Sequence, residues 1–482
     1  MASVCRTTDT FLYQQVYDFV TENIDDGTLR PGDKLPSLRK LSTKLGVSVP
    51  TVRQAYIELE SQRRVESRPK SGFYVRAARR SNIVKLNCNK GGQPKPVATA
   101  CRTVMDKVYD AISQPDLVPF GVANPCMAQP ATKGLHRSMK RVIARTQTRG
   151  IGYASTLGDA TLRRQIAYRY LDQAGVNADP EQILITNGGQ EALLLALSSV
   201  AERGDVIAVE SPTYHGLLEL IDNLGMLAIE VETCPEEGVM ISALERTLKT
   251  HPVKACMFST TLSNPLGVTM PASERQRLVD LIEAHDAVLI EDDVYGELLF
   301  DESRPTPAQF LSDSNKFMTC GSFSKTAAPG YRLGWLLAGE RIDQLRRMKR
   351  AFSCSSGLLQ QLTLADFLAS GDYDRHLRRL RPTLRVNAER MRASVAEHFP
   401  EETRTSCPVG GSVLWIELPD SVDSGELFDQ AMDAGISVAP GLIFAPHDRF
   451  RHHLRLSFGH PWTEKIEQSL RWLGDAAKAA TA

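Results

Sequence analysis

The chain has 482 residues, too many for one ordinary domain, and its 42% apolar and 24% charged residues are those of a globular protein. Its 57 Lys and Arg offset 57 Asp and Glu, so no overall charge draws it toward nucleic acid or an anionic membrane. No apolar run is long enough to span a bilayer, the first residues lack a signal-peptide core, and the nine cysteines form no CxxC pair. A cytoplasmic chain with reduced thiols, no membrane contact and no metal site is expected.

The charge is unevenly placed. Residues 30–80 hold 13 Lys and Arg against 4 Asp and Glu, which marks the N-terminal part as a separate unit. Tyr13, Val16, Tyr17, Val20 and Ile24 fall on one helical face, with Gly27 as its stop. Pro31-Gly32-Asp33 makes a turn. Ser37 then caps a short helix with Leu38, Leu41 and Leu45 inward, ending at Gly46. Ser48 caps a third, with Pro50 in its first turn and Val52, Ala55, Tyr56 and Leu59 inward. Two helices separated by so short a turn form a helix-turn-helix pattern. Thr51, Arg53 and Gln54 lie outward near the start of the third helix, able to reach base edges and phosphates. Val65–Arg68 and Phe73–Val75, joined through Lys70-Ser71-Gly72, read as a two-stranded wing with a basic tip.

The run from Leu35-Pro36-Ser37-Leu38-Arg39 through Val49-Pro50-Thr51-Val52-Arg53 to Lys70-Ser71-Gly72-Phe73-Tyr74-Val75 resembles a GntR-type winged helix. The resemblance implies binding of double-stranded DNA. Arg39 and Arg53 would meet phosphates or bases, with Ser48 and Thr51 at the major groove. Arg68, Lys70, Ser71 and Gly72 would form the wing that reaches the minor groove. Lys70 stands where the family usually has glycine, and Arg63-Arg64 where it has Gly-Leu; both changes add positive charge. The winged head is expected over residues 10–76. Residues 77–97, poor in large apolar side chains and ending in Gly and Pro, read as a linker that lets the head move. A helix from Cys101 to Ile112 leads into the remaining unit, 98–482.

From residue 181 the pattern alternates. Short apolar strands at Ile183–Thr186, Val206–Glu210, Leu227–Val231, Ala255–Ser259, Ala287–Glu291 and Phe317–Ser322 are separated by helices such as Glu191–Ala201 and Leu217–Asn223. Such alternation predicts an α/β domain on a mostly parallel sheet, with ligands at the carboxyl ends of the strands. Polar sets stand at those ends. Gly188-Gly189-Gln190 opens a helix whose N–H groups suit an anion. Asn264, Asp292 with Tyr295, and Lys325 follow three later strands. Lys325 lies in Gly321-Ser322-Phe323-Ser324-Lys325, among small residues that let a ligand approach, and Arg332 comes seven positions on.

This ordered set resembles the fold-type I, pyridoxal 5′-phosphate (PLP)-dependent aminotransferases, with a small lobe from about residue 375 to 482. The resemblance implies that Lys325 forms the Schiff base with the cofactor aldehyde and that Asp292 holds the ring nitrogen protonated. Asn264 and Tyr295 would bond the ring oxygen, and Tyr214 would stack on the ring. Gly188, Gly189, Gln190, Ser322 and Arg332 would hold the phosphate, helped by Tyr153 from the other subunit of a homodimer. Arg455 would clamp a substrate carboxylate. Asp292 is preferred to Asp293 because it stands three residues before Tyr295, and Ala123 stands where many of these enzymes have glycine. Head and body together resemble the MocR subfamily of bacterial GntR-type regulators. That resemblance implies a dimeric regulator sensing a small amine, amino acid or vitamin B6 compound. The competing reading is a metabolic aminotransferase with an accessory head.

Overall fold

The computed structural model describes residues 11–25, 28–29, 32–61, 64–68, 71–75, 84–86, 95–98, 102–112, 114, 116–123, 131–300, 304–447 and 449–481. The expectations at Gly27, Pro31, Arg63 and Lys70, the side chain of Arg68 and most of the 77–97 linker lie outside them.

In the head, α1 (Leu12–Asp25), α2 (Leu38–Leu45) and α3 (Val49–Ser61) precede the wing strands β1 (Val65–Arg68) and β2 (Gly72–Val75). The predicted caps form. Ser37 Oγ accepts from the N–H of Lys40 at 3.3 Å, Gly46 turns left-handed at φ 70°, and Ser48 Oγ accepts from the N–H of Thr51 at 3.2 Å. Val52, Ala55, Tyr56 and Leu59 are all buried, as their spacing predicts. Each large side chain of this set contributes about 1.5–3 kcal/mol to holding the three helices together. The two-stranded wing carries an extra bridge, from Lys34 to Tyr74. The N–H of Leu35 donates to Phe73 and that of Val75 to Asp33, each at 2.8 Å, so the turn before α2 pairs along β2.

The body continues with β3 (Val84–Lys85), α4 (Arg102–Ile112), β4 (Val118–Pro119), α5 (Ala131–Thr146) and α6 (Ala160–Ala174). Next come β5 (Ile183–Thr186), α7 (Gly189–Ser198), β6 (Val206–Ser211), α8 (His215–Asn223), β7 (Leu227–Cys234) and β8 (Gly238–Val239). Then follow α9 (Ile241–Thr250), β9 (Val253–Phe258), α10 (Ala272–Glu283), β10 (Val288–Asp292), β11 (Phe317–Ser322) and β12 (Gly334–Leu337). The sheet order is β5-β12-β11-β10-β9-β6-β7-β8. β7, β6, β9, β10 and β11 run parallel, while β12 is inserted antiparallel between β11 and β5. These strands are buried on both faces, which is why they read as continuous apolar runs.

The chain ends with α11 (Ile342–Phe352), α12 (Leu358–Ala369), α13 (Asp372–His398), β13 (Arg404–Thr405), β14 (Val413–Glu417), α14 (Ser424–Asp433), β15 (Ile436–Ser437), β16 (Ala439–Pro440), β17 (His453–Ser457) and α15 (Glu464–Ala479). Here the small-lobe sheet is β16-β17-β14-β13-β3. Two short strands from far upstream join this lobe. β3 pairs in parallel with β13, Leu86 packs on the body's core, and β4 pairs with β15. The segment expected to be wholly linker is therefore fastened at Val84–Lys85, and again where Val97 bridges Ala228. Among the described residues no helix is long and apolar enough to cross a membrane.

Candidate functional site

β10 and β11 are parallel neighbours with Asp292 level with Cys320, so the turns leaving them open on one edge of the sheet. Lys325 lies in the turn after β11, with Nζ 5.8 Å from the centre of the Tyr295 ring. Burial, with the nearby Arg455 and Arg332 charges, pushes its amine down to about 8 against the opposing pull of Asp292. About a tenth of such amines are neutral at pH 7, far more than for an exposed lysine.

Asp292 ends β10. Burial pushes its carboxyl up to about 7, with Asp293 adding to the rise, while the Val294 N–H and Lys325 oppose it. Among the described residues it makes no ion pair. Its neighbour Asp293 points to the other side, as alternation along a strand requires. There it is ion-paired with buried Arg304, whose guanidinium lies 4.5 Å from the Tyr170 ring centre. Of the two adjacent carboxylates, only Asp292 faces the lysine turn.

An anion cradle closes the other side. Gly188 has φ +83°, and a Cβ there would lie 2.7 Å from Nη2 of Arg332, so only glycine admits the guanidinium. Gly189 begins α7, whose N-terminal N–H groups favour negative charge. Ser322 Oγ donates to Ser324 Oγ at 3.0 Å and accepts from the Ser324 N–H at 3.1 Å. The Gln190 side chain is turned elsewhere and donates to the carbonyl of Gly216 at 2.9 Å.

Arg455 arrives from the small lobe on β17, buried. It donates to the carbonyl of Gly121 and, at 3.4 Å, to Oδ1 of Asn264. Its Nε is buried without a partner among the described residues, so the guanidinium retains unused donor capacity. Tyr295 donates its hydroxyl to the carbonyl of Ala123 at 3.2 Å. Tyr214 immediately precedes α8, its ring 4.7 Å from that of His215.

Two expected groups stand apart from this pocket. Tyr153 is 89% exposed in the protomer. The DNA set lies on the head, where Arg39, Ser48, Arg53, Ser71 and Gly72 are exposed and Thr51 is half-buried. Sequence reasoning missed His215, which burial keeps neutral by lowering it to about 3. It also missed Tyr109 on α4, which donates to Glu219 at 3.2 Å and faces the His215 ring. The adjacency of His215 to Tyr214 is the signal that could have found the first.

The donor set fits PLP. It offers an anion cradle that a Cβ would fill, a buried carboxylate with no ion pair among the described residues, and a half-buried lysine with a lowered pKa. A lysine turn on such a sheet, in a chain that also carries a winged head, defines a class of proteins that join an aminotransferase-type body to a helix-turn-helix unit. Residues 115–471 match the family described as aminotransferase class I and II, and residues 12–75 match the bacterial regulatory proteins of the gntR family. The chain is 36% identical over 468 residues to the HTH-type transcriptional regulator YjiR of Escherichia coli, covering 97% of this chain and 99% of that protein. Among solved structures, the α-aminoadipate aminotransferase LysN of Thermus thermophilus superposes with a TM-score of 0.72 at 27% identity, covering 79% of this chain and 96% of that one. The kynurenine aminotransferase of Pyrococcus horikoshii shares the fold with a TM-score of 0.74 at 24% identity, over 80% of this chain and 96% of that one. The chain belongs to the MocR-type subfamily of GntR regulators, in which a winged helix is fused to an aminotransferase class I and II domain.

Proposed function

We propose that the protein is a bacterial cytoplasmic transcription regulator that grips double-stranded operator DNA with its winged head and senses a small amine, amino acid or vitamin B6 compound in its PLP-loaded body. One observation carries this reading: a single chain presents a winged head with Arg39 and Arg53 exposed and, separately, the half-buried Lys325 beside buried Asp292 and Arg455, with Arg332 at the mouth. The head is residues 10–76 and the body 98–482.

When bound, the cofactor supplies an aldehyde that couples to amines and a ring that accepts electrons. Lys325 is its covalent anchor and, at its lowered pKa, gives and takes a proton readily. Asp292 would hold a proton on the ring nitrogen, Asn264 and Tyr295 would bond the ring oxygen, and Tyr214 would stack on the ring. Gly188, Gly189, Ser322 and Arg332 hold the phosphate, with Gln190 bracing the start of α8. The exposed Tyr153 reaches the partner subunit's phosphate in a homodimer. Arg455 takes the effector's carboxylate as a charge-assisted pair.

The test is the visible spectrum of the purified protein before and after a panel of amines and amino acids, with DNA retention measured over a salt series alongside. A preparation that stays colourless in excess PLP, and that borohydride does not tag at Lys325, refutes the reading. The completeness of the site favours one second reading, an active aminotransferase. Sustained turnover of amino and keto acid pairs, without selective DNA retention, decides for it.

A further inference from the structure

The long helix α13 touches several parts of the site that a ligand would disturb, and it also touches the head. Near its start, the buried His376 ring donates to the carbonyl of Thr326 at 2.9 Å, one residue beyond Lys325. Tyr373 donates to the Glu297 carboxylate and Arg381 Nε to the Glu297 carbonyl at 2.9 Å, two residues beyond Tyr295. Asn387 donates to the carbonyls of Phe458 and His460 at 3.0 and 2.8 Å, in the segment leaving the strand of Arg455. The same helix packs on α3 of the head. There Arg385 attracts the buried Glu58 of α3 while Glu389, one turn on, repels it, and Glu389 also pushes up the Tyr17 hydroxyl of α1. Arg385 lies 5.7 Å from the centre of the Phe300 ring as well, so it belongs to body and head at once.

We infer that α13 is the element through which occupancy of the Lys325 site sets the position of the winged head, with Arg385 as the group that attracts Glu58 and Glu389 as the like charge that opposes it. This rests on the proposed sensing function. The distance from His376 to Glu389 is about 20 Å along the helix. Pro382 removes one N–H within it, but the bonds on either side still let the helix shift more readily than it stretches. A change at the Thr326 carbonyl, at Glu297 or at the Arg455 strand therefore reaches the head as a displacement of the docking face. The wider linker path is not needed for this, because the contact is direct.

The probe is aminooxyacetate, a carboxylate-bearing alkoxyamine that displaces lysine from PLP. Hydrogen exchange across α1 and α3 is measured on the full PLP-loaded protein with and without it, together with the visible spectrum. In the unaltered protein the reagent is expected to change exchange in α3 by about fivefold or more. In Arg385→Ala, and independently in Glu58→Gln, the spectrum still responds to the reagent, but exchange in α3 no longer does. A spectral response with unchanged α3 exchange in the unaltered protein overturns this inference alone. So does an α3 response that persists in both variants. Absence of any spectral response in the unaltered protein overturns the sensing function, and the inference falls with it.

Discussion

Asparagine placed at each of two adjacent positions, Asp292→Asn and Asp293→Asn, separates a carboxylate kept for a ligand from one kept for the fold. The Asp292 carboxyl is pushed from 3.8 to about 7 by burial. At about 1.36 kcal/mol per pKa unit, its charge burdens the cofactor-free fold by about 4 kcal/mol at pH 8.5 and about 2 kcal/mol at pH 5.5. The sign follows from the raised folded-state value: the burden is absent below the unfolded value of 3.8, grows up to about pH 7 and levels off above it. Asp292→Asn should therefore stabilise the stripped protein, more at pH 8.5 than at pH 5.5, while weakening its hold on PLP. Asp293→Asn leaves buried Arg304 without its ion-pair partner, with the more distant Glu297 left to oppose its charge, and should cost about 3–5 kcal/mol with or without cofactor. Denaturant unfolding of the stripped protein at the two pH values, followed by tryptophan fluorescence, reads both effects. Equal destabilisation by the two variants at pH 8.5 would refute the division of labour.

Arg455→Lys should weaken carboxylate-bearing effectors by about 10- to 100-fold, the worth of a charge-assisted pair, and leave simple amines untouched; spectral titration of matched amino acids and amines tests this. Arg53→Ala should lower DNA affinity and reduce the slope of log affinity against log salt by about one, read from DNA retention over a salt series. Gly188→Ala puts a methyl 2.7 Å from the Arg332 guanidinium at a positive φ, so PLP affinity should fall by at least about tenfold, measured by equilibrium dialysis.

The residues that were legible in the chain owed this to local signals. α2 and α3 declared themselves through Ser37, Gly46 and Ser48, whose cap bonds span three or four residues. The parallel strands showed as apolar runs, and Asp292 and Lys325 followed from standing at strand ends. What stayed hidden depends on distant partners. Lys34 and Leu35 join the wing only through β2, and Gly334–Leu337 is a four-residue strand placed by β5 and β11. Val84–Lys85 has no strand character until Arg404–Thr405 lies beside it. Pro382 interrupts the pattern of α13, where loss of one N–H is tolerated within a helix of 27 residues. Arg304 could not be assigned to Asp293 across ten intervening residues by spacing alone.

Pairing with Arg404 shortens the tether of the head at Val84. Between it and Val75, the last residue of the wing, stand only residues 76–83. Such a stretch reaches about 30 Å when fully drawn out, less than one turn of B-form DNA. In the proposed homodimer this tether would limit how far apart two heads can reach, and a Gly-Ser insertion there should let the protein tolerate wider gaps between operator halves.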